Sequence, residues 1–230
     1  MSTTNKKTFS KYFVTTFKES KWLLLKYIVV AILMSIISVL ANLLGVEELT
    51  YLNAFLSIYA FASIIAFGVS NGISIFMNQN IGSKFKVRKY AKIGFEINFI
   101  FSVIATFLLM AFPTFFMETL MDYHPSDYTF YYIMCGYFLL SCTSNYLANS
   151  LKSLKFFKQQ LISELVPLLV TIIGFVVLLT CGIYYLNYIG ITYIISSAIT
   201  IVFAYVFLLK NKEISVNFSK LQTINLTKKQ

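Results

Sequence analysis

Apolar residues run through this chain in six long, nearly unbroken stretches, near 22–44, 51–77, 93–116, 128–150, 161–183 and 187–209. A helix needs about 20 mostly apolar residues to cross roughly 30 Å of hydrocarbon, and each stretch is that long. The runs are continuous rather than alternating, which predicts helices and not strands. The second is longer than one crossing needs and is expected to extend past the hydrocarbon. The fold class this pattern predicts is all-α integral membrane, with six transmembrane helices over 22–209. A basic segment over 1–21 and a polar tail over 210–230 flank them.

Charge changes the picture by giving the helices a direction. The segment leading into the first span carries Lys6, Lys7, Lys11, Lys18, Lys21 and Lys26. Lys84, Lys86, Arg88, Lys89 and Lys92 lie between spans 2 and 3, and Lys152, Lys155 and Lys158 between spans 4 and 5. The tail carries Lys210, Lys212, Lys220, Lys228 and Lys229, which completes the 19 Lys and Arg of the chain. The other three loops hold Glu47, Glu48, Glu118, Asp122 and Asp127 instead. Positive residues stay on the cytoplasmic side, so both termini are expected there, in an inner (plasma) membrane. The net charge of +10 is then a topology signal first and an affinity for anionic headgroups second. Nucleic acid is not an expected partner.

Composition agrees. Hydrophobic residues make up 58% of the chain and charged residues 12%, half the share of a soluble domain. A soluble enzyme and a disordered protein are both excluded. Cys135, Cys142 and Cys181 fall inside apolar runs and imply no disulfide framework. The first apolar run is longer than a signal-peptide core and lacks a small-residue cleavage site. Trp22 opens that run, where an interfacial aromatic belongs. Tyr12, Phe13 and Phe17 lie at near-helical spacing beside basic residues and read either as a short amphipathic helix on the inner leaflet or as a basic tail.

Candidate chemistry is sparse. Glu96 and Glu164 are carboxylates inside apparent spans, each about one turn from the cytoplasmic end. Burying such a group is costly, which makes both candidates for coupling or gating. A plainer role is an interfacial acid beside Lys92 or Lys158. Pro167 follows Glu164 by three residues and permits a kink there. Asn71, Asn145 and Ser144 lie in the cytoplasmic halves of their spans and either line a cavity or bond between helices. Abundant Phe and Tyr in spans 2 to 4 would suit lipophilic cations if they faced a cavity. His124, the only histidine, sits in an acidic outer loop that reads as a solvated turn. No phosphate loop, Ser/His/Asp set or metal-ligand spacing occurs, so neither enzyme activity nor a cofactor is expected.

The most informative string is Gly68-Val69-Ser70-Asn71-Gly72-Ile73-Ser74, followed by Gln79, Gly82 and the basic residues from Lys84. Gly68 with Gly72, and Ser70 with Ser74, give the small-xxx-small spacing that lets helices approach closely in lipid. Gln79 and Gly82 mark the interface and the turn. The string resembles the MATE (multidrug and toxic compound extrusion) family, part of a superfamily that includes polysaccharide and lipid flippases. Members typically show Gly-x-Ser-x-Gly late in the second helix, then a Gln, a Gly and a basic loop into the third. Gly45 with Glu47-Glu48-Leu49, Asn149 to Lys152, and Asn187 to Gly190 are similar to other family stretches.

The resemblance covers about residues 22–209 and implies one six-helix lobe of a two-lobe transporter, the N-terminal one. The lobes of such transporters are parallel repeats that rock against each other. The second lobe would then be another copy of this chain or a separate chain. The resemblance further implies outward transport of an amphipathic or cationic small molecule, coupled to H+ or Na+. Proton-coupled members often use an Asp in the first helix, but the matching stretch from Ser35 to Asn42 holds no carboxylate. Two other readings remain: a flippase-like half for lipid-linked molecules, and a non-transporting or truncated membrane protein.

Overall fold

The computed structural model describes residues 21–22, 24–32, 35–36, 38–39, 42–43, 45–182 and 185–210. The expected amphipathic segment before Lys21 and the tail after Lys210 lie outside them. The first apolar stretch, α1, is helical at 21–22, 24–32, 35–36, 38–39 and 42. Five further helices follow: α2 (Val46–Gln79), α3 (Lys84–Ala111), α4 (Thr129–Ser153), α5 (Phe157–Thr180) and α6 (Leu186–Lys210). A single π-helical turn, Phe115–Leu120, lies between α3 and α4. No strand occurs among the described residues.

Two boundaries correct the sequence reading. The basic stretch after Gly82 is not a loop, because α3 begins at Lys84 and only residues 80–83 link it to α2. The same helix ends at Ala111 rather than near 116. Pro113 is the reason: it disfavours helical geometry in the residue before it, and Phe112 has left the helix at φ −128, ψ 53.

Four helices are long and apolar enough to cross a membrane among the described residues: α2, α3 from Phe85, α5 and α6. Helix α4 is long enough but too polar by composition, and its position explains this. It packs against α2, α3, α5 and α6, so most of its surface meets protein rather than lipid. Its polar groups bond to those neighbours instead. The Tyr131 hydroxyl donates to the Leu109 carbonyl at 3.0 Å and Tyr146 to the Ala91 carbonyl at 2.6 Å. Asn149 donates to Ser70 Oγ at 2.9 Å. In hydrocarbon such bonds hold helices together where the hydrophobic effect cannot. Around them pack Phe55, Met134, Phe138 and Phe175, all fully buried, with Phe55 set edge-on to Tyr131 at 5.4 Å.

The close helix approaches are not where the small-residue spacing puts them. A Cβ added to Gly68 or Gly72 would meet nothing within 4 Å, and the same holds at Gly82 in the turn. The tight contacts are at Gly94, Gly174 and Gly190. At Gly94 a Cβ would stand 2.6 Å from both Ile73 and the Tyr146 hydroxyl. Small residues pack helices only on the face that meets one, and Gly68 lies on the exposed face of α2.

Candidate functional site

Residues that face one cavity, most of them polar, repeat at helical spacing on three of the helices. Tyr137, Ser141, Ser144 and Ala148 form one stripe on α4, and Glu164, Pro167, Leu168 and Thr171 one on α5. Tyr193, Ser196, Ser197 and Thr200 form the third, on α6. Residues three, four and seven apart share a helix face. The three stripes converge on a cavity of about 330 Å³, closed by Tyr59 of α2 and by Lys26 and Val30 of α1.

The charges in this cavity form a pair. Lys26 Nζ lies 2.8 Å from Glu164 Oε1, with the two side chains 13% and 22% exposed. Gln160 Nε2 donates to the same carboxylate oxygen at 3.1 Å. Gln160 itself is fully buried, and its Oε1 has no hydrogen-bond partner. An unsatisfied buried acceptor is costly, so the amide's orientation is fixed by the carboxylate it serves. Pro167 supplies no N–H to the helix ladder, which frees the carbonyl of Ser163 one turn back.

Several of the hydroxyls here donate a hydrogen bond inside the fold. Ser144 donates to the Ser141 carbonyl at 2.9 Å, Thr171 to Pro167 at 3.1 Å and Thr200 to Ser196 at 3.1 Å. Tyr59 and Ser141 share a bond of 2.7 Å. What these oxygens still offer is acceptor capacity. Three tyrosines give the cavity an aromatic wall: Tyr59 stacks on Tyr137 at 5.5 Å, and Tyr137 meets Tyr193 at 5.1 Å.

A second, smaller concavity of about 230 Å³ lies at the other end of the bundle, lined by Glu47, Glu48, Tyr51, Tyr123, Asp127 and Tyr185, among others. Burial, with Glu47 and Glu48 nearby, raises the Tyr123 phenol above its ordinary value. Two hydrogen bonds from Thr129, through its hydroxyl and its N–H, hold the Asp127 carboxyl below the usual range.

Of the residues singled out in the sequence, the cavity gathers Glu164, Pro167, Ser144 and Asn145. It does not gather Glu96 or Asn71. Glu96 is exposed on α3, with its side chain 3.7 Å from Lys92 one turn back. Asn71 is exposed on α2. Ser70 is buried and accepts the bond from Asn149, while Gln79 is exposed at the end of α2. Glu164 stands further along its helix than its place in the apolar run suggests: α5 starts at Phe157, roughly 10 Å before it. Its partner is Lys26, not Lys158. Sequence reasoning missed Lys26 by counting it with the basic residues before the first span. It also missed the hydroxyl stripe of α6, whose i, i+3, i+4, i+7 spacing was a readable signal.

Long helices with apolar outer faces, around a cavity that holds an ion pair, are those of a multi-pass membrane protein. The MatE family profile matches residues 23–178, more than half of the chain, and the chain belongs to that family. The matched region includes Lys26, Asn145 and Glu164. No match was found among curated proteins or solved structures.

Proposed function

We propose that the chain is one six-helix lobe of a MATE-type transporter, with both termini in the cytoplasm of a cell whose inner membrane it spans. A second lobe, from another copy or a separate chain, would complete it. Rocking of the two lobes would expose the cavity to each side in turn. Its cargo in this reading is an amphipathic small molecule moved outward, and Glu164 serves as the coupling or gating group, with H+ or Na+ as the coupling ion. One observation carries the proposal: an ionisable pair lining a cavity between apolar helices, in a chain of a transporter family. Such groups are kept in membranes where they serve a pathway.

The test is export. Cells expressing the full chain are expected to accumulate less of an amphipathic dye panel than empty-vector cells, and Glu164→Gln is expected to erase the difference. Accumulation equal to the control, with membrane insertion verified, would remove the proposal. Lys26 favours a second reading, in which an anionic headgroup occupies the cavity and a lipid-linked molecule is flipped. Movement of a labelled anionic lipid between leaflets, in the absence of dye export, would select it.

A further inference from the structure

Of the expected amphipathic or cationic cargo, a lone cation fits the cavity poorly, because Lys26 already supplies a cation there. We infer that the cavity binds zwitterions: molecules carrying an ammonium and an anionic group a few ångströms apart beside an apolar body. This deepens the transport reading and rests on it, since it names the ligand class of the same site.

Three observations support the assignment. First, the Lys26–Glu164 pair is only half used. Both known bonds to the carboxylate, from Lys26 and from Gln160, reach Oε1. Among the described residues Oε2 accepts no hydrogen bond, and beyond Glu164 Lys26 Nζ meets only the face of the Tyr27 ring, 5.2 Å from its centroid, with no second hydrogen-bond acceptor. A ligand ammonium can therefore dock on Oε2 and a ligand anion on Nζ with the pair intact. Second, the pair is neutral as a whole. A lone cation at Glu164 comes within reach of the Lys26 ammonium, and a lone anion at Lys26 comes within reach of the carboxylate. In a partly desolvated site such like-charge contacts are unfavourable. A zwitterion set antiparallel to the pair avoids both. Third, the rest of the lining suits such a molecule. Ser144, Thr171 and Thr200 offer acceptors to an ammonium, and the Tyr59–Tyr137–Tyr193 wall offers flat apolar surface to its body. The cavity volume of about 330 Å³ is at the small end of ligand sites.

Three tritiated probes share an indole body and differ in charge: tryptophan is a zwitterion, tryptamine a cation and indole-3-propionate an anion. Equilibrium binding to the full chain in lipid nanodiscs is expected to favour tryptophan over each of the others by at least about tenfold. Glu164→Gln is expected to shift preference toward indole-3-propionate, and Lys26→Met toward tryptamine. Equal binding of tryptamine and tryptophan to the unaltered chain would overturn the inference, and so would no binding of tryptophan. The unaltered chain alone decides this, whether or not the variants fold. Competition by phosphoethanolamine separates two sources of the same chemistry: stronger displacement than by phenylalanine identifies a lipid headgroup, weaker displacement a free aromatic zwitterion. Export from proteoliposomes separates the two levels of the account. Selective binding without movement leaves the ligand class standing and removes transport. Movement of tryptamine as fast as tryptophan does the reverse.

Discussion

Glu164 and Glu96 look alike in the sequence and differ completely in the fold. Each is a carboxylate shortly after a basic cluster, near the start of an apolar run. Measured along its own helix, Glu96 is the deeper of the two, about 18 Å from the start of α3 at Lys84. Yet its side chain is 54% exposed and its ion-pair partner is on the same helix. Glu164 faces a cavity and pairs across helices with Lys26. Depth along a helix is not burial. The face decides, and the face is set by which neighbours the helix meets.

The largest expected effect sharpens this contrast. Removing one partner of a buried ion pair costs about 3–5 kcal/mol. The pair here keeps some exposure, so Lys26→Met or Glu164→Leu is each expected to cost about 2 kcal/mol. The double variant is expected to cost clearly less than the two singles added, as thermal unfolding in nanodiscs would show. Strict additivity would mean that the pair is not formed.

Next in size is a contrast between glycines. Gly94→Ala forces a methyl against Ile73 and Tyr146 and is expected to destabilise by about 1–3 kcal/mol. Gly68→Ala, which meets open space, is expected to be neutral or stabilising by up to about 1 kcal/mol. Equal effects in the same assay would break the assignment of packed and open faces. Glu96→Gln is expected to change stability by no more than about 0.5 kcal/mol and to leave export intact.

The smallest effect concerns the entry to α4. Because Thr129 lowers the Asp127 pKa, the stabilising bond is fully present above the ordinary carboxylate value of about 4. It is lost as pH falls through the lower, folded value. Asp127→Ala is therefore expected to melt slightly earlier than the unaltered chain at neutral pH, by a margin that closes only in strong acid. A margin that widened on acidification would contradict the sign.

Helical class and the approximate positions of the elements were legible because lipid-facing helices must be apolar, and apolar length is directly visible. The family was legible from the string around Gly68 to Gly82. The packing role of that string was not, since Gly68 and Gly72 share a spacing with packing glycines but not their neighbours. Glu164, Pro167, Ser144 and Asn145 were found because polar groups in apolar runs are conspicuous. Lys26 was hidden by company: it follows five other lysines, and its charge served the topology argument too well. The α6 hydroxyls were hidden by being uncharged. Their stripe matters only once α4 and α5 are seen to present matching stripes to the same space.

The central claim is that the Lys26–Glu164 pair forms the working centre of a transport cavity. Export by the charge-exchanged chain, carrying Lys26→Glu and Glu164→Lys together, tests it most directly. The account predicts that each single reversal abolishes export and that the exchange restores a substantial part of it. Export unaffected by the single reversals, in chains shown to insert normally, would contradict it.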